Sequence, residues 1–136
     1  MHVPAPRHLS AESPLRVASI PGKGRGILAG RRFATGEIVD AVPVVVIPAR
    51  QWPLIEPTVV SEFCFEWDET TGSHAIALGR PSLFNHSYAA NVAAEKQLRR
   101  RFLVFTALRD IEPGEELTIH YHADPDSTEP VGFEVK

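Results

Sequence analysis

The chain has 136 residues, 43% hydrophobic and 23% charged, with a net charge of -3. By size it is one domain, large enough to bury a core, and its composition excludes intrinsic disorder. The charge argues against direct nucleic-acid binding, which draws on a basic surface. A single cysteine, Cys64, excludes an internal disulfide framework and a cysteine-based zinc cluster.

Residues 1–14 read as a loose leader, rich in proline and without periodicity. They contain no apolar run of signal-peptide length, and no segment approaches 18 apolar residues, so the expectation is a cytoplasmic protein with no membrane partner. "LRVASI" (15–20) predicts a strand ended by the turn "PGKGRG" (21–26). "ILAGRRFATGE" (27–37) predicts another strand and a tight turn at Thr35-Gly36. "IVDAVPVVVIP" (38–48) is β-branched, and its two prolines suit an edge strand or a bend. In 49–69 the pattern predicts a short helix interrupted by Pro53 and Pro57, then a strand around Phe63–Trp67.

"HAIALG" (74–79) reads as a short apolar strand. "RFLVFTAL" (101–108), the turn-rich link 109–116 and "LTIHY" (117–121) form the clearest strand pair. In the last, Leu117, Ile119 and Tyr121 share one face, with Thr118 and His120 on the other. The tail 122–136 is polar except for Val131, Phe133 and Val135, an apolar cluster that would suit a homodimer contact. The twelve prolines shorten every element. The sum is one mainly β domain over 15–121, with many short strands and little helix.

Three stretches carry possible chemistry. In "GKGRG" (22–26), three glycines beside a lysine and an arginine can expose backbone N–H groups to an anion or admit a ligand against the main chain. A plain hairpin turn is the commoner use, and P-loop spacing is absent. "SLFNHSYAAN" (82–91) places Asn85, His86, Ser87 and Asn91 among apolar neighbours, where polar groups need partners. A glycosylation site, a metal site drawing on His74, His86, His120 and His122, and a nucleophile at Ser87 or Cys64 all lack supporting motifs. "ELTIHY" ends in Tyr121, and a strand-end tyrosine is most often a core residue with its hydroxyl on a polar partner.

In combination and in this order, "GKGRGILA", "ALGRPSLFNHS", Asn91 and "ALRDIEPGEELTIHY" resemble the SET domain of protein lysine methyltransferases, over about residues 15–121. The compact layout is most similar to short stand-alone SET proteins of bacteria and large viruses. The resemblance implies a β-clip of small curved sheets with a C-terminal pseudoknot, and S-adenosylmethionine as cofactor. It implies a cofactor site at Lys23, Gly24, Arg25 and Gly26, joined by Asn85 and His86, with Tyr121 as the active-site tyrosine. Phe63 and Phe65 fall near the family's substrate-lysine channel. It implies no metal, and a protein substrate presenting a lysine, such as a histone or histone-like basic protein. The chain departs from the family form at Ala90, where proline is common. It also has no aromatic residue in the eight positions after the segment ending "HYH". That departure motivates the alternative, a catalytically weak SET-fold interaction module that binds the cofactor.

Overall fold

The computed structural model describes residues 14–120. The leader and the tail lie outside the described residues, and with them Tyr121, His122 and the Val131–Val135 cluster. The chain runs through β1 (Leu15–Ile20), β2 (Gly24–Ala29), β3 (Ile38–Ile47) and a one-turn helix α1 (Trp52–Ile55). It continues through β4 (Cys64–Asp68), β5 (Ser73–Ala77), β6 (Asn85–His86), β7 (Val92–Gln97), β8 (Phe102–Ala107) and β9 (Glu116–Ile119). These strands form two curled sheets, a four-stranded one ordered β1-β2-β9-β6 and a five-stranded one ordered β4-β5-β3-β8-β7. The mainly β expectation is met, as is the short, proline-interrupted helical segment.

Alternation builds the five-stranded sheet. Along β8, Leu103, Phe105 and Ala107 are buried while the residues between them are not. Full burial of one such aliphatic side chain is worth about 1.5–3 kcal/mol. Their inward face meets Val42 and Val44 of β3 and Phe65 and Trp67 of β4 in one apolar core.

Of the two readings of 38–48, edge strand or bend, the edge strand fails. The strand over 38–48, with its prolines, is not an edge strand: β3 sits at the centre of the sheet, between β5 and β8. Pro43 is tolerated because it falls where the partner changes. Residues Ile38 to Pro43 pair with β8, and residues Val44 to Ile47 pair with β5. At the join the Pro43 carbonyl accepts the Leu78 N–H, and Val44 donates to Arg101. A proline at the end of a ladder forfeits no bond that the ladder needs.

The four-stranded sheet is put together differently. β1 and β2 form a hairpin with six paired positions, closed by a bond from Lys23 N–H to the Ile20 carbonyl. The predicted turn over 21–26 is therefore shorter than expected, because Gly24, Arg25 and Gly26 already belong to β2. β9 then inserts between β2 and β6, antiparallel to the first and parallel to the second. A C-terminal strand thus lies between two elements from earlier in the chain. The two sheets meet where Phe84 packs edge-on against Phe105, ring centroids 5.1 Å apart, which fixes the residue just before Asn85.

Candidate functional site

The strands β2, β6 and β9 bring together stretches that are up to 93 positions apart in sequence. Glu116, at the start of β9, is where they converge. One carboxylate oxygen accepts from Lys23 Nζ at 3.0 Å and the other from Asn85 Nδ2 at 2.7 Å. The Asn85 amide also donates to the Arg25 carbonyl at 3.1 Å. One glutamate therefore ties the glycine hairpin to the Asn85 strand. Ion and partners are only partly exposed, so these charge-assisted bonds keep more of their strength than a surface pair would.

Asn91 performs the same service from the other side. It is buried, donates to the Glu116 carbonyl at 2.8 Å and accepts the Thr118 N–H at 2.9 Å. A backbone-like amide thus satisfies both polar groups of β9 that face it. The Ser87 N–H bonds the Ile119 carbonyl, extending the two paired positions of β6, Asn85 with Thr118 and His86 with Ile119.

The glycines divide by what they are needed for. A Cβ on Gly26 would lie 2.6 Å from both Asn85 Nδ2 and Ile20 Cγ1, and 2.8 Å from Glu116 Oε2, so a larger residue here would have to displace the Asn85–Glu116 tie. Gly22 and Gly24 have φ of 77° and 81°, and a Cβ on either would meet no atom within 4 Å. There the backbone conformation demands glycine, and the space beside the main chain is open. A ligand can approach the hairpin at 22–24 while Gly26 locks it from behind.

Beyond β6 an aromatic group closes the other side. His86 and His120 are both buried, with ring centroids 4.5 Å apart. Tyr88 stands 4.9 Å from the first and 5.3 Å from the second, and is itself 43% exposed. The two histidines meet as packed rings. Among the described residues no group of three or more histidine, cysteine or acidic side chains is arranged to hold a metal.

Of the six positions expected at a cofactor site, Gly24, Arg25 and Gly26 lie on β2, Asn85 and His86 on β6, and Lys23 in the turn before β2. Lys23 engages Glu116 through its ammonium group. Arg25 contributes its carbonyl, its side chain being exposed. Phe63 and Phe65 lie on the other sheet's side of the molecule: Phe65 is buried in the five-stranded core, and Phe63 is half-buried at the end of the 3-10 turn before β4. Sequence reasoning missed Glu116, whose only signal was its place within "GEELTIHY"; Asn91 was singled out there as a polar residue needing partners, and the structure supplies them on β9. Thr118 and His120, assigned to the face opposite Leu117 and Ile119, are buried as well, so β9 is covered on both faces.

A model of the SET domain matches residues 24–122. The chain is 32% identical, over 110 residues, to "Histone-lysine N-methyltransferase, H3 lysine-37 specific" of Schizosaccharomyces pombe, an alignment covering 80% of this chain and 74% of that protein. It is 34% identical over 125 residues to histone-lysine N-methyltransferase Set8 of Drosophila melanogaster, covering 79% of this chain and only 17% of that longer protein. The fold is similar to that of a Plasmodium falciparum protein assigned to the histone methyltransferases, with a TM-score of 0.62 at 20% identity, over 79% of this chain and 92% of that one. It is also similar to a chain of a humanized mutant of the Chaetomium thermophilum Polycomb Repressive Complex 2, with a TM-score of 0.64 at 23% identity, over 79% of this chain and 14% of that one.

Fold, site and relatives together define a protein-lysine methyltransferase. The chain belongs to the SET domain family, whose methyltransferases use S-adenosylmethionine.

Proposed function

We propose that the protein is an S-adenosylmethionine-dependent protein-lysine N-methyltransferase acting on a lysine in the basic tail of a histone or histone-like protein. The observation that carries this reading is the convergence of the glycine hairpin and Asn85 on Glu116, with His86 next along β6 and open space at Gly22 and Gly24. When bound, the cofactor supplies an electrophilic methyl group on a sulfonium.

The residues of the chain do the rest. The main chain at Gly24 offers close approach, the Asn85 side chain holds that hairpin against β6 through the Arg25 carbonyl, and buried His86 keeps water from that edge. Methyl transfer to an amine is an in-line displacement, so alignment and dryness supply most of the rate. The acceptor lysine has to lose its proton, from an ordinary pKa of about 10.4, and apolar walls favour the neutral amine. Tyr121, which follows directly on the buried His120, is assigned the orienting hydroxyl at the transfer site. Phe63 and Phe65 are assigned to the channel wall, with Phe65 contributing from the core. The mild acidity of the protein suits a basic partner, and the Schizosaccharomyces pombe relative is named for a histone H3 lysine.

The test is Tyr121→Phe. It is expected to lower methyl transfer to a histone H3 tail by about two orders of magnitude, the scale of losing one oriented hydrogen-bonding group at a reacting centre, while cofactor affinity by calorimetry stays within a factor of a few. Equal transfer by mutant and wild type would remove Tyr121 from the role. Cofactor binding with no transfer to any basic protein would favour the interaction-module reading instead.

A further inference from the structure

The net charge hides a local exception. The turn joining β7 to β8 reads Leu98-Arg99-Arg100-Arg101, and all three arginines are exposed. Among the described residues none of them enters an ion pair, whereas Arg31, Arg32 and Arg109 each do. Arg50, likewise outside those pairs, lines with Arg101 one open cavity of about 510 Å³ at that end of the five-stranded sheet. Asp68 shares its wall, one carboxylate beside two arginines, and its Oδ1 accepts from the N–H and hydroxyl of Thr70.

The backbone makes the cluster harder to dismiss as a solvated surface. Arg101 is the one non-glycine residue at positive φ among those described, at 57°. A left-handed residue costs an L-amino acid about 1–2 kcal/mol that glycine would avoid. The turn is nonetheless held firmly, by a bond from Arg101 N–H to the Gln97 carbonyl at 2.8 Å and from Val44 N–H to the Arg101 carbonyl at 2.9 Å. An arginine standing where the backbone conformation would suit glycine, on an exposed hydrogen-bonded turn beside two more, points to a binding role.

We propose that the Arg99–Arg101 turn, with Arg50, docks on the phosphate backbone of double-stranded nucleic acid, independently of sequence. Three consecutive exposed arginines, with Arg50 across the open cavity that Arg101 lines, match a polyanion of dense, regular charge, about one per 1.7 Å of duplex axis. The choice of nucleic acid over an acidic peptide rests on the proposed substrate class: a basic tail is itself bound to polyanions, and an enzyme touching the same polyanion is held near its lysine. The expectation of no nucleic-acid binding came from an average over the whole surface, and averaged charge does not report a cluster.

Fluorescence anisotropy of a labelled duplex of roughly 20 base pairs tests this without cofactor or methyl transfer, so its failure is separate from failure of the catalytic reading. Wild-type protein is expected to bind at low salt with log K falling against log salt by about 0.9 per phosphate contacted, for three or four contacts. Replacing Arg99 and Arg100 by Ala and Arg101 by Gly should flatten the slope by about one for each arginine lost, with unchanged methyl transfer to a free tail peptide. Arg101→Gly alone should weaken duplex binding while raising the melting temperature, which separates binding from folding. No salt-sensitive duplex binding by the wild type, or variants that bind as it does, would overturn the proposal. So would polyglutamate displacing the duplex at equal charge concentration, which would assign the turn to acidic protein.

Discussion

The two sheets hold themselves together in opposite ways. The five-stranded sheet has long ladders and an apolar face: β3 and β8 share five paired positions, β7 and β8 six, and Leu103 and Phe105 between them are fully buried. The four-stranded sheet contains strands of two and four residues, too short to persist on ladder bonds alone. Side chains make up the deficit. Asn91 supplies backbone-type bonds to β9, and Glu116 ties it to Lys23 and Asn85. One sheet is scaffold, and the other is built from the residues that form the site. Core substitutions in the first should cost stability and leave cofactor binding intact, and those in the second should cost stability and cofactor binding together.

The sharpest check on that division is Leu103→Ala. Cavity formation at a fully buried leucine should cost about 2–5 kcal/mol, read as a lowered denaturation midpoint, while the folded protein binds S-adenosylmethionine as the wild type does. A lost affinity in the folded fraction would mean that the sheets are not separable. Asn91→Ala should be nearly as damaging, because it strands the Glu116 carbonyl and the Thr118 N–H in a buried setting at about 1–3 kcal/mol each. Here cofactor affinity should fall alongside stability, and unchanged affinity by calorimetry would break the comparison.

Glu116→Gln is subtler. A neutral amide can accept from only one of Lys23 and Asn85 and loses the charge that pairs the first. Stability should drop by about 1 kcal/mol or less, and cofactor affinity by about tenfold as the hairpin loosens. Glu116→Asp should not restore it, since the shorter side chain no longer spans both partners. The smallest effect belongs to His74 on the scaffold, stacked on Trp52 with ring centroids 3.6 Å apart. Burial pushes its pKa below the usual histidine value, so the unfolded chain takes up its proton first. The stability this residue lends is complete above about pH 6.5 and is lost as pH falls below it. Melting temperatures of wild type and His74→Gln should therefore converge on acidification, and parallel pH curves would remove the effect.

The strands were legible where apolar runs are bounded by turn residues, as at Leu15–Ile20, Phe102–Ala107 and Glu116–Ile119. Leu117 and Ile119 share the buried face their pattern gave them, while the glycine turn is present but shorter than its pattern implied. The failures have local causes. Pro43 reads as an edge signal because sequence does not reveal that β3 changes partner at that residue. Residues 92–97 carry mixed polarity, since β7 borders the sheet, and so gave no clear period. At the site, Asn85 and His86 stood out as polar residues among apolar ones, but Glu116 did not. An acidic residue at a turn reads as solvated, and its partners lie 31 and 93 positions away. Convergence across that distance is a property of the threaded topology, visible only once β9 is placed between β2 and β6.

Methyl transfer to lysine is the decisive property of the protein. Incubation of the wild-type protein with methyl-labelled S-adenosylmethionine and purified core histones, followed by mass spectrometry of the labelled peptides, tests it directly. The predicted result is label on the ε-amine of a tail lysine, strongly reduced in Tyr121→Phe and in Asn91→Ala. Label on another residue type, or none on any basic protein under conditions where the cofactor binds, would contradict it.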